Sequence, residues 1–166
     1  MEVKISDAVL RQAAQGGEAQ FIEAIADAIN KAIGGELNAD NMGLLNADQI
    51  TLLGYCALRR ELLDGGFVEL IHNGWGAFIF LNPFAKAMRQ WGVQGLATLM
   101  NKGHKYYTKF HKEIERDCSD DEFMALYERF SQFDALDDKF VDSEEEFTSQ
   151  VAHWVDEHLN NFVEVV

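Results

Sequence analysis

Proline is almost missing from this sequence: Pro83 is the only one among 166 residues. A chain so poor in the residue that interrupts helices favours long helices over a loop-rich fold. Cysteine is nearly as scarce. Cys56 and Cys118 lie far apart and form no Cys-x-x-Cys pair, a usage that suits a reducing cytosol, where a lone cysteine serves as a small buried hydrophobe. Long apolar runs are lacking too. The longest uninterrupted one is Ala77–Leu81, far short of the roughly 20 residues of a membrane helix. Glu2 comes early and no apolar block follows it, so no signal peptide is expected and the predicted location is cytoplasmic. Positive charge is short at one end. Residues 1–110 hold 11 Asp/Glu and 10 Lys/Arg, whereas residues 111–166 hold 17 Asp/Glu and 4 Lys/Arg. Acidity concentrated in this way makes a surface that repels nucleic acid and attracts basic proteins.

What is present describes a folded, helical globule. A hydrophobic content of 48% excludes wholesale disorder, and the length fits one domain. Ser6 can cap a short helix ending near Gly16-Gly17. Residues 18–33 carry Ile22, Ile25, Ile29 and Ile33 at spacings of three and four, an amphipathic helix closed by Gly34-Gly35. A polar loop follows over residues 36–46. Asn46 then caps a helix to about Leu63. Residues 65–81 read as two short helices with a turn at Asn73–Gly76, in preference to a hairpin at Asn73-Gly74. Asn82 is expected to cap the next helix, with Pro83 in its first position and Gly92 at its end. A longer helix covers residues 94–116. Ser119-Asp-Asp-Glu122 is a capping box, followed by a stripe of Phe123, Leu126, Tyr127, Phe130 and Phe133. Ser143-Glu-Glu-Glu146 reads as a second capping box, opening a final helix with Phe147, Val151, Trp154, Val155, His158, Leu159 and Phe162 on one face. The predicted fold class is all-α, a single compact multi-helix domain over residues 1–166, with N-terminal helices over 6–33 packed on the rest.

Motifs for chemistry are few. His153 and His158 are five apart and fall on different faces of a helix, so zinc-protease spacing is absent. Glu69-Leu-Ile-His72 has the Glu-x-x-His spacing of carboxylate-bridged di-iron bundles, but such sites need two copies and two further inward glutamates. A helical metal-binding or enzymatic domain using Glu69 and His72 is therefore the alternative reading. No phosphate-binding loop, dinucleotide fingerprint or nucleophile motif occurs, and neither an enzyme nor a cofactor is expected. Trp75, Trp91 and Trp154 all fall on apolar faces and read as core. Tyr106-Tyr107 with Lys102, Lys105, Lys109 and Lys112 forms a small basic-aromatic patch. Beside so acidic a segment, it reads as balancing the acids within the fold.

The candidate partner-binding residues come from residues 117–146, which contain 12 Asp/Glu against Arg129 and Lys139. On one straight helix that is a net charge about every 4.5 Å. Duplex DNA carries one per ~1.7 Å, so several acidic faces or two subunits would be needed to approach it. Asp120, Asp121, Asp134, Asp137, Asp138, Asp142, Glu144, Glu145 and Glu146 are the residues expected to supply that charge. A merely solubilising acidic surface on an accessory domain is the bland reading. The stretch 134–146 lacks both the order and the glycine of a calcium-binding loop.

Residues 61–76, Glu-Leu-Leu-Asp-Gly-Gly-Phe-Val-Glu-Leu-Ile-His-Asn-Gly-Trp-Gly, resemble a motif of a bacterial family of small acidic DNA-mimic proteins. The matching positions are Glu61, Gly65, Gly66, Phe67, Asn73 and Gly76; Asp64 stands where the family usually has Asn. Residues 85–92 and 133–140 are similar to further family segments, and the likeness covers about 48–162. The resemblance implies an all-helical homodimer that occupies the DNA-binding surface of a basic protein, such as a helix-turn-helix regulator. No direct contact with nucleic acid is expected, since both carry negative charge, and none with a membrane, since long apolar runs are lacking. The motif itself reads as structural, with Gly65-Gly66 ending one helix through positive φ and letting the next begin.

Overall fold

The structure, a computed structural model, describes residues 1–166 and contains nine α-helices and one pair of two-residue strands. Ser6 caps α1 (Asp7–Gln15) by accepting the Val9 N–H at 3.1 Å. In α2 (Glu18–Ala32), Ile22, Ile25 and Ile29 point inward and are fully buried, as their three-four spacing dictates. A reciprocal cap opens α3 (Ala47–Asp64): Asn46 Oδ1 accepts from the Gln49 N–H at 2.8 Å, and Gln49 Oε1 accepts from the Asn46 N–H at 3.0 Å. Then come α4 (Gly66–His72), α5 (Gly76–Leu81), α6 (Phe84–Gln90) and α7 (Gln94–Ile114). α8 (Asp120–Arg129) follows, and α9 (Asp134–Glu157) completes the helices. The strands β1 (Lys4–Ile5) and β2 (Glu164–Val165) pair in parallel, Lys4 opposite Glu164 and Ile5 opposite Val165. Nothing in the sequence pattern points to this pairing. No helix is long and apolar enough to cross a membrane.

The chain forms two compact units. The first comprises residues 1–56 and 146–166, and the second residues 57–145. The core of the first is aliphatic in α2 and mixed elsewhere, with Leu52, Tyr55, Val151, Val155 and Phe162 buried. The Tyr55 hydroxyl and Thr148 Oγ1 share a buried hydrogen bond of 2.7 Å, which satisfies both polar atoms inside the core.

The second unit is built on aromatic packing. Phe67, fully buried, stacks on Phe80 at 6.2 Å and on Phe133 at 5.8 Å between ring centroids. Phe80 in turn stacks on Tyr107 at 4.9 Å. Each such pair adds to its area burial about 0.5–1.5 kcal/mol. α5 reaches α7 closely because Gly76 has no side chain. A Cβ there would stand 2.6 Å from Tyr107 Cε2.

Two expected caps are not where the sequence places them. Asn82 does not cap α6 through its side chain; its Nδ2 donates back to the Phe78 carbonyl at 3.0 Å, and Pro83 is the boundary residue. Ser143 opens no helix. It lies buried within α9, which runs unbroken from Asp134. The Ser-x-x-Glu pattern is local, and here it is overridden by burial. Leu136, Phe140 and Phe147 are buried along one continuous stripe, and breaking the helix at 143 would split that stripe.

Candidate partner-binding site

α8 begins as the sequence predicts. Ser119 and Glu122 form a true capping box, with the Glu122 N–H donating to Ser119 Oγ at 3.2 Å. Asp120 and Asp121 stand exposed in the first turn, where the helix dipole favours negative charge.

Along the first half of α9 the acids divide into two sets. Asp134, Asp138, Asp142 and Glu145 are exposed. At ~100° per residue they fall within about 80° of arc and span ~17 Å of helix. None of them forms an ion pair; pairs within the second unit include Arg59 with Glu144, Arg129 with Glu113, Arg60 with Glu61 and His111 with Glu115. Glu146 is exposed as well and receives a long hydrogen bond of 3.5 Å from Gln150.

Asp137 and Glu144 belong to the other set. The Phe67 N–H, at the head of α4, donates to Asp137 Oδ1 at 2.8 Å. Gly66 sits with φ +76° directly against that carboxylate, so a Cβ there would collide with it. Burial pushes the Asp137 carboxyl up to about 6; the Phe67 N–H opposes that shift, and the charges of Asp134 and Asp138 add to it. Glu144 accepts from Arg59 at 2.5 Å, with both side chains largely covered. Asp137 and Glu144 therefore do not point outward, unlike the other acids expected to supply charge to a partner. They tie α9 to α4 and α3.

Several positions of the motif at residues 61–76 are engaged within the fold. Glu61 is buried and accepts from Asn73 Nδ2 at 3.0 Å. Only Gly66 of the glycine pair has positive φ; Gly65 has φ −142° and offers its carbonyl to the Tyr127 hydroxyl at 2.8 Å. Glu69 lies in this junction, and its carboxyl is pushed up to about 7, first by burial, then by the hydrogen-bonding and charged Asp64, then by Glu61. The Tyr127 phenol is pushed up to about 12, by burial first and then by Glu69, Asp137 and Asp64. His72 Nδ1 pairs with the Ile114 carbonyl at 2.8 Å. No group of three or more His, Cys, Asp or Glu side chains is placed to hold a metal ion. Glu69 and His72 therefore make no metal site of the di-iron kind.

The class so defined is a helical protein with free carboxylates ranged along one exposed helix face and a glycine-hinged, aromatic-packed motif behind it. The profile of the DMP19-like protein family matches residues 43–158, and the chain belongs to that family. It is 27% identical over 127 residues, 76% of this chain and 77% of the relative, to the DNA mimic protein DMP19 of Neisseria meningitidis serogroup B.

Proposed function

We propose that this protein is an acidic interaction module that competes with DNA for a basic DNA-binding protein, such as a helix-turn-helix regulator. The observation that carries the reading is the row Asp134, Asp138, Asp142 and Glu145, exposed and without ion pairs. Asp120, Asp121 and Glu146, also exposed, are the further acids this reading assigns to partner binding. Family membership and the name of the relative support mimicry. Helix energetics support a role beyond the fold, because Asp134, Asp138 and Asp142 are like charges at i,i+4 spacing, an arrangement that costs about 0.2–0.5 kcal/mol per pair. The row does not serve the stability of its own helix.

One row is sparser than a DNA strand, with four charges in ~17 Å against one per ~3.4 Å. α8 must add charge, or a second row on a two-fold homodimer. Opposed charge acts chiefly on encounter rate and on choice of partner.

The test is competition. A basic regulator captured from native lysate at low salt is bound to labelled operator DNA, and this protein is titrated in. The wild type should release the DNA, less effectively as salt rises. The variant Asp134→Asn, Asp138→Asn, Asp142→Asn, Glu145→Gln should associate more slowly while remaining folded. If that variant displaces DNA as fast as wild type, with the same salt dependence, the row is only solubilising. Asp137 is left out of the variant because it is a bond of the fold.

A further inference from the structure

Between residues 70 and 112 there is no Asp or Glu at all, but six cations: Lys86, Arg89, Lys102, Lys105, Lys109 and Lys112. The last four lie on α7, and all four are exposed. At ~100° per residue they occupy about 80° of arc and ~15 Å of helix. On the sequence alone they balance the acids within the fold; in the structure none makes an ion pair. The acids nearest in sequence are otherwise engaged, Glu113 with Arg129 at 2.6 Å and Glu115 with His111 at 3.2 Å.

The aromatic half of this patch is not on offer. Tyr106 stacks on Phe110 and meets Phe133 edge-on at 5.6 Å, and Phe110 packs on Phe130 at 5.0 Å. Phe130 and Phe133 are core residues. What remains is a line of point charges with no stacking platform of the kind that holds single-stranded nucleic acid. The whole chain carries a formal −14, which opposes a nucleic-acid ligand and a second copy alike, so any contact with either rests on the local rows.

An acidic surface of matching form does exist, on α9 of the same chain. Its four carboxylates cover the same arc as the lysines and nearly the same length. We propose that the lysine row of α7 docks the acidic row of α9 on a second copy of this chain, giving a head-to-tail, salt-sensitive contact. Such a contact is heterologous, unlike a two-fold dimer interface, and need not close on itself. It also covers the acids proposed to face the regulator, so self-association and partner binding exclude one another at that row. The contact itself depends only on the two rows and not on the DNA-mimic reading.

Sedimentation of the full chain tests it. At about 20 mM salt the wild type should form species larger than those seen at about 300 mM, the apparent association weakening roughly tenfold or more as the charges are screened. The row variant Lys102→Gln, Lys105→Gln, Lys109→Gln, Lys112→Gln should lose this salt-dependent step. So should the acidic-row variant Asp134→Asn, Asp138→Asn, Asp142→Asn, Glu145→Gln. Mixed one to one, the two variants should associate again, since one still presents acids and the other still presents lysines. Circular dichroism checks that both are folded. No salt-dependent step in the wild type overturns the proposal, as does an unchanged step in the lysine variant or no association in the mixture. A labelled DNA duplex bound by wild type and released by the lysine variant would assign the row to nucleic acid and overturn it too. The lysine variant keeps every acid, so its failure to dissociate would leave the DNA-competition test untouched.

Discussion

The two faces of α9 over residues 134–145 carry the same chemistry and do opposite things. Asp134, Asp138, Asp142 and Glu145 meet only water, while Asp137 and Glu144 hold a backbone N–H and a guanidinium. The helix surface decides which is which. Asp137 lies four residues after Phe133 and three before Phe140, and Glu144 stands likewise between Phe140 and Phe147. The buried aromatics therefore carry both acids into the packed side, whereas positions 134, 138, 142 and 145 turn away. Counting carboxylates thus overstates the interaction surface.

The sharpest way to break this contrast is to remove an inward acid. Glu144→Ala should cost about 1.5–3 kcal/mol in urea unfolding, the worth of a hydrogen bond to a charged group, and leave Arg59 without its carboxylate. Asp137→Ala should cost about 1–2 kcal/mol by leaving the Phe67 N–H unsatisfied. A variant of either kind that unfolds like wild type would erase the distinction.

A pH scan separates the inner carboxyls next. Asp137 at about 6 and Glu69 at about 7 are both raised above ordinary values. Folding therefore favours their protonated forms, and their contribution is present at low pH and lost as pH rises through those values. Tm should fall between about pH 4 and about pH 7, and Glu69→Gln should flatten the profile. The smallest effect belongs to the outer row. Converting Asp134, Asp138, Asp142 and Glu145 to amides should move stability by no more than about 1 kcal/mol, while changing association with a basic partner.

Much of this was legible in the chain. The N-terminal isoleucines, the Ser119 cap, the two short helices either side of Asn73–Gly76 and the burial of Phe67 all follow from spacing and turn chemistry, and the structure has them. The inward acids were legible in principle, since Phe133, Asp137, Phe140, Glu144 and Phe147 keep one three-four rhythm. Reading Ser143 as a cap cuts that rhythm in two and hides it. The pairing of Glu61 with Asn73 was beyond reach, because it joins α3 to the residue that ends α4, and their approach is set by tertiary packing. The strand pair was too, at two residues each and a separation of nearly the whole chain.

The division into units is uneven in sequence: residues 57–145 are continuous, whereas the other unit joins residues 1–56 to residues 146–166. During synthesis the continuous unit can close its aromatic core as soon as its own stretch has left the ribosome. The other must wait, because Asn46 and Gln49 find the carbonyls of Asn161 and Phe162, and Lys4 finds Glu164, only after more than 110 residues of intervening chain. Loops that long close slowly. The nascent chain would therefore display the carboxylates of residues 134–145 on a finished second unit while the pairing of its first residues with its last has still to form.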